Sequence, residues 1–141
     1  RLWLRFILEG DVDAVAWPEA AAPGRTDDLW RRTCFEVFVR TAGGGYVEFN
    51  LSPSGQWASY RFDGYRSGMA EAGERVEVFG MDGGEALWAL EGLIELPPGA
   101  EALALSTVVK RKDGRISYWA LRHPSDKPDF HHPDSFVLDL P

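Results

Sequence analysis

The chain is 141 residues long, 45% hydrophobic, and carries 22 acidic against 15 basic residues for a net charge of −7. That length suits one domain, residues 1–141, with a genuine core. The acidic balance argues against nucleic acid or an anionic membrane as the main partner, because both need a basic surface.

No apolar run approaches the ~20 residues of a membrane span. The single cysteine, Cys34, allows no internal disulfide, which tilts the compartment toward the cytoplasm. The chain opens at Arg1, with no initiator methionine and already next to a strand-like run, so N-terminal residues are expected to precede it.

The recurring signal along the chain is period two, broken by Gly, Pro and Asp turns. Leu2 to Glu9 reads as a strand, and DVDAVAWP as a short edge strand ending at Pro18. Asp27 to Arg32 suits a single helical turn capped by Asp27. Strands follow at Cys34 to Arg40, at Tyr46 to Leu51, and from Trp57 into Arg61. Arg61 to Glu74 continues as strand end and long loop, before a short strand RVEVFG. Leu87 to Leu96 alternates, with Gly92 as a candidate bulge. Ala102 to Lys110 and Ile116 to His123 flank Asp113-Gly114, the clearest hairpin signal in the chain. HPSDKPDFHHPDS is an irregular loop, and FVLDL closes as a last strand. This is an all-β pattern of about nine or ten short strands with very little helix, as in an antiparallel β-sandwich of the jelly-roll kind.

Parity then assigns faces, because side chains alternate across a strand. Phe35, Val37 and Val39 form one apolar set and Val47, Phe49 and Leu51 the next, so these belong together in the core. A loop from Thr41 to Gly45 sets Glu36 opposite Asn50 and Phe38 opposite Glu48. In the second hairpin Ala58, Tyr60 and Phe62 are taken as core. A loop from Ser52 to Gly55 then sets Trp57 opposite Asn50, Ser59 opposite Glu48 and Arg61 opposite Tyr46. A loop one residue shorter would send Arg61 to the core, which is costly without a partner. On this register Glu36, Glu48, Asn50, Trp57, Ser59 and Arg61 share one face. In ISYWALRH the Trp119 side reads as core, which lets Tyr118 and Arg122 reach the Glu36 face; alternatively Arg122 simply pairs with Glu36.

Three readings of that face compete. One is an exposed lattice of ion pairs, common on the solvated side of antiparallel sheets. Another is a concave site for a polar ligand such as a sugar, with Trp57 as plate, Glu36, Glu48 and Asn50 for hydroxyls, and Arg61 or Arg122 as the cation. The third is a glycosidase pair, which needs two carboxyls about 5–10 Å apart. No nucleophile elbow, P-loop or dinucleotide fingerprint occurs, and Cys34 has no sequence-evident His partner, so the expectation is binding without catalysis.

LWRRTCFEVFVR, YVEFNLSPSGQWASYRFDGYRSGM and DGRISYWALRHPSDKPDFHHPDSFVLDL together resemble the bacterial DOMON-like domains grouped with family 9 carbohydrate-binding modules. The resemblance runs from about Leu29 onward. It marks Trp30, Cys34, Glu36, Glu48, Asn50, Ser52, Pro53, Trp57, Tyr60, Tyr65, Arg66, Tyr118, Trp119, His123, Asp129, His131 and Phe136. It implies a jelly-roll sandwich that binds a small molecule or glycan, and the wider superfamily adds haem as an alternative ligand. Haem would need a Met and a His, here Met69 or Met81 with His123, His131 or His132, and no cytochrome spacing joins them. A redox module and a protein-interaction module are therefore the rival functions. The His and Asp residues of PDFHHPDS have metal-ligand chemistry but no ligand spacing. The expectation is no cofactor, with a loop-bound calcium left open by the resemblance.

Overall fold

The computed structural model describes the backbone of all 141 residues and every side chain except those of residues 80–82. The order of elements is β1 (Leu2–Glu9), β2 (Gly24–Arg25), β3 (Cys34–Thr41), β4 (Tyr46–Leu51), β5 (Gln56–Phe62), β6 (Ala70–Glu71), β7 (Val76–Gly83), β8 (Leu87–Ile94), β9 (Ala100–Lys110), β10 (Ile116–Ala120) and β11 (Leu138–Asp139). Three single turns of 3-10 helix, Val12–Ala14, Leu29–Arg31 and Pro133–Ser135, are the helical content. Among the described residues no helix is long and apolar enough to cross a membrane.

The strands form an all-β sandwich of two sheets, one of 3 strands ordered β1-β8-β7 and one of 8. The larger runs β10-β9-β3-β4-β5-β2, with β11 beside β9 and β6 beside β5. Pairing is antiparallel except for the short parallel contact of β2 with β5. The expected strands at Leu2, Cys34, Tyr46, Leu87 and Ile116 all form. DVDAVAWP instead makes a 3-10 turn and one isolated bridge, Val15 to Arg111, because Pro18 ends it before a ladder can build. The turn before β3 forms, but Asp28 in a left-handed conformation is its N-cap residue rather than Asp27, and no side-chain cap is made. Gly92 makes no bulge. It stays in register with Leu4 and Val78, and its missing side chain admits Leu51 from the facing sheet.

The first core lies between the sheets, where Phe35, Val37, Val39, Val47, Phe49 and Leu51 meet Leu4, Leu90 and Ile94. Parity predicts the β3 and β4 members of this set, because each of those two strands contributes its odd residues. A second core covers the outer face of the large sheet. There Phe38, Tyr46, Ala58, Tyr60, Phe62 and Ala104 are covered by Leu29 and Phe136, from the segments before β3 and after β10. The outer face of the sheet is therefore buried too, and that is what builds the site.

Candidate functional site

The first hairpin has the expected register, with Glu36 opposite Asn50 and Phe38 opposite Glu48. The second is shifted by one residue. Leu51 faces Trp57, Phe49 faces Ser59 and Val47 faces Arg61. Ser52 and Gln56 close the turn, leaving Pro53, Ser54 and Gly55 as a three-residue loop with Gly55 at φ +94°. This is the three-residue hairpin that ends in a left-handed residue. Trp57, Ser59 and Arg61 therefore leave the Glu36 face, and Tyr60 takes the place opposite Glu48.

The cost expected for Arg61 does not arise. It lies near the end of β5, more than half of its side chain is exposed, and its guanidinium pairs with Glu74 at 3.5 Å. Trp57 packs against the inter-sheet core, with the Arg25 guanidinium 4.6 Å from its ring centroid. Ser59 is buried, donates to the Glu74 carbonyl at 2.7 Å, and accepts from Arg25 at 3.1 Å. The side chains of Trp57 and Arg61 thus lie across the sheet from the Glu36 face.

On that face, β9 brings Ser106 beside Glu36, and β10 places Tyr118 beside Val108. Tyr118 reaches the Glu36 face as expected. Arg122 does not: it falls after β10, is exposed, and forms no ion pair among the described residues. Trp119 is not core. It is 61% exposed, because β10 is an edge strand that the smaller sheet does not cover.

A cleft of about 610 Å³ lies over this face. Glu36 and Glu48 form its floor, and Trp30, Tyr60, Phe62, Tyr118 and Phe130 line it. Met69, Arg31, Arg66, Lys110 and His131 also border it. The covering segments each contribute something local. The Leu29–Arg31 turn supplies Trp30 and Arg31, and the irregular run after β10 supplies Phe130 and His131.

The two carboxyls are 4% and 6% exposed, so the solvated ion-pair lattice is overturned. Burial pushes Glu36 well above the ordinary carboxyl range; the neighbouring Glu48 pushes the same way, and the Ser106 hydroxyl opposes. Burial raises Glu48 to about 7, against the Asn50 amide and the Arg66 guanidinium. Asn50 is fully buried, and neither atom of its amide meets a partner in full hydrogen-bond geometry. Cys34 is buried and its thiol is pushed up by burial, then by the two Glu residues, which keeps it unreactive.

His131 completes a relay across the floor. Its Nε2 lies 3.3 Å from Glu48 Oε1, and its Nδ1 lies 2.7 Å from the Tyr46 hydroxyl. The Tyr46 oxygen accepts from the Arg66 backbone N–H at 3.1 Å. Tyr46 therefore donates to Nδ1, and the Nε2–H of a neutral imidazole donates to Glu48. Burial lowers the His131 pKa to about 4, with Arg66 adding to the shift and Asp129 opposing it. Both ring nitrogens are thus engaged, which does not fit an iron ligand. Of the two methionines weighed for haem, Met81 lies outside the described side chains and Met69 is exposed at the cleft border. Among the described residues no three His, Cys, Asp or Glu side chains cluster as a cation site.

Parity brings Glu36, Glu48, Asn50 and Tyr118 to one face, as the structure does, and assigns no place to His131, Arg66 and Phe130, although the resemblance marks His131 and Arg66. All three come from irregular segments, where period-two parity assigns no face. No family model, no curated protein and no solved structure matches the chain.

Proposed function

We propose that the chain is a non-catalytic module that binds a polar small molecule or glycan in the cleft over Glu36 and Glu48. The observation that supports this reading most is the combination of buried carboxyls with an aromatic-walled cleft of about 610 Å³. That volume suits a small ligand, and such sites pair apolar walls with a few placed polar groups. Trp30 and Tyr118 supply the plates, in place of Trp57. Glu36 and Glu48 supply hydroxyl partners. The resemblance to DOMON-like domains makes carbohydrate the first ligand class to test.

The test is a tryptophan-fluorescence titration with mono- and oligosaccharides. A saturable shift that is lost in Trp30→Phe and kept in Trp57→Phe is the expected result. No shift with any sugar overturns the carbohydrate reading. Turnover of a glycoside that is lost in Glu36→Gln or Glu48→Gln overturns the non-catalytic one.

A second reading, a protein-interaction module, rests on the apolar edge at β10, where Ile116, Trp119 and Leu121 are exposed. Gel filtration with and without Trp119→Ser tests it through the elution volume.

A further inference from the structure

The cleft floor narrows the ligand class, on the assumption that the binding reading above holds. Glu36 and Glu48 are buried side by side, and among the described residues neither has an Arg or Lys within ion-pair distance. Glu36 accepts a 3.4 Å hydrogen bond from Ser106 on Oε2, and its other oxygen has no protein donor. Glu48 meets the neutral imidazole of His131. Two of the basic side chains around the cleft are paired with acids other than the floor carboxyls. Arg66 pairs with Asp129 at 2.9 Å, and Arg31 lies 3.7 Å from Asp28. Lys110, on β9, forms no ion pair within 4.0 Å among the described residues.

A second sign comes from Asn50, paired with Glu36 across the strands and facing Glu48, whose fully buried amide makes no hydrogen bond in full geometry. Buried polar groups in native proteins are almost always well matched, so an amide met this loosely behind a cleft calls for an explanation. Two buried carboxyls need either protons or a cation to remain there. Among the described residues no Arg or Lys lies within ion-pair distance of the floor, and Arg66 acts on Glu48 only from farther off. The walls that surround it are aromatic faces, which attract ammonium groups by their quadrupole.

We propose that the site takes a ligand with a primary ammonium at its buried end, seated between Glu36 and Glu48; an amino sugar is the form that joins this to the carbohydrate reading. The ammonium offers three donors, enough for both carboxyls and the Asn50 oxygen. Its charge displaces a proton from the carboxyl pair to solvent, so one positive charge enters as another leaves. The groups facing the pair are Cys34 from β3, Tyr46 from β4, Tyr60 from β5, Ser106 and Lys110 from β9, Arg31 from the turn before β3, and His131 from the segment after β10, with Arg66 and Asp129 behind it. Burial holds Cys34, Tyr46 and Tyr60 in their neutral forms and keeps His131 uncharged near pH 7, so the released proton comes from the carboxyls.

Calorimetry of the full chain near pH 7 tests this with glucosamine, glucose, N-acetylglucosamine and cyclohexylamine, each in phosphate and in HEPES. Glucosamine is expected to bind at least about tenfold more tightly than the two uncharged sugars. Its heat should differ between the buffers by the release of up to about one proton. Glu36→Gln and Glu48→Gln, checked for folding by circular dichroism, should each remove that preference. Equal binding of glucose and glucosamine overturns the ammonium seat and leaves the sugar reading intact. Binding of cyclohexylamine with no sugar keeps the seat and overturns the sugar reading. Failure of all four probes overturns both.

Discussion

Trp57 and Glu36 are separated by the thickness of one sheet, and this decides what each substitution does. Trp57 pairs with Leu51 and packs on the inter-sheet core. Trp57→Ala is expected to cost about 2–4 kcal/mol in a urea melt, through lost burial and a residual cavity. Ligand affinity per folded molecule should be unchanged, and a loss of binding at full stability would return Trp57 to the site. Glu36 and Glu48 act on stability through pH. Their folded pKa values lie above the unfolded ones, so the folded state holds more protons as pH rises past the ordinary carboxyl range. Stability from these groups is therefore present in acid and falls as pH climbs through about 7. His131 works in the opposite sense. Its folded pKa of about 4 makes the unfolded state bind the extra proton in mild acid, so its contribution grows as pH rises from about 4 toward the ordinary histidine value. The two trends oppose each other below neutrality, and the carboxyl trend alone remains above it. Glu36→Gln should accordingly gain about 1–3 kcal/mol at pH 8 and flatten the fall between pH 6 and pH 8. An unchanged slope in urea melts at the two pH values would show that Glu36 does not carry the proton.

At the scale of elements, the two hairpins explain what was legible and what was not. In β3 and β4 the residues of the inter-sheet core are aliphatic or Phe at every second position, and this alternation pins the register. In β5 both alternating sets have apolar members, Trp57 on one side and Ala58, Tyr60 and Phe62 on the other. Parity cannot choose between two buried faces; the turn chooses. Gly55 at φ +94° closes a loop one residue shorter than the apolar count suggests, and every side chain of β5 changes sides. Parity gives His131 no place for a different reason, although the resemblance marks it. It reaches Tyr46 across 85 residues from a segment without ladder pairing, so only the tertiary fold assigns its place. Gly92 shows how closely the sheets approach. A methyl group there would lie 2.3 Å from Leu51 Cδ2, and Leu51 is fully buried with little room to move. Gly92→Ala should cost about 1–3 kcal/mol by overpacking, although alanine is otherwise no worse than glycine in a strand. Chemical denaturation measures it, and a neutral result would mean that Leu51 has a second rotamer available.

Across the whole molecule, the sandwich is lopsided. Three strands cover one face of an eight-stranded sheet, and the opposite face is covered by irregular chain instead of a third layer. A ladder-poor cover is held by side chains, so its attachment is local and separable from the sheets. Asp129 is the main clasp. It accepts from the Tyr65 hydroxyl, from Arg66 at 2.9 Å, and from the His131 backbone N–H at 3.2 Å. Tyr65 and Arg66 belong to the loop after β5, so this one carboxylate joins two irregular segments over the cleft. Asp129→Asn removes the charge that all three donors share. Hydrogen exchange is expected to speed up at His131 and through the Pro133–Ser135 turn, with β3 and β4 unchanged, because those strands are paired on both sides and buried on both faces. Global stability should fall by no more than about 1–2 kcal/mol, since Asp129 is a partly exposed clasp and not a core group. The same variant should weaken ligand binding, because Phe130 and His131 move with the cover. Uniform acceleration across both sheets would instead show that the cover and the sandwich unfold as one unit, and the cleft would then be as rigid as the strands beneath it.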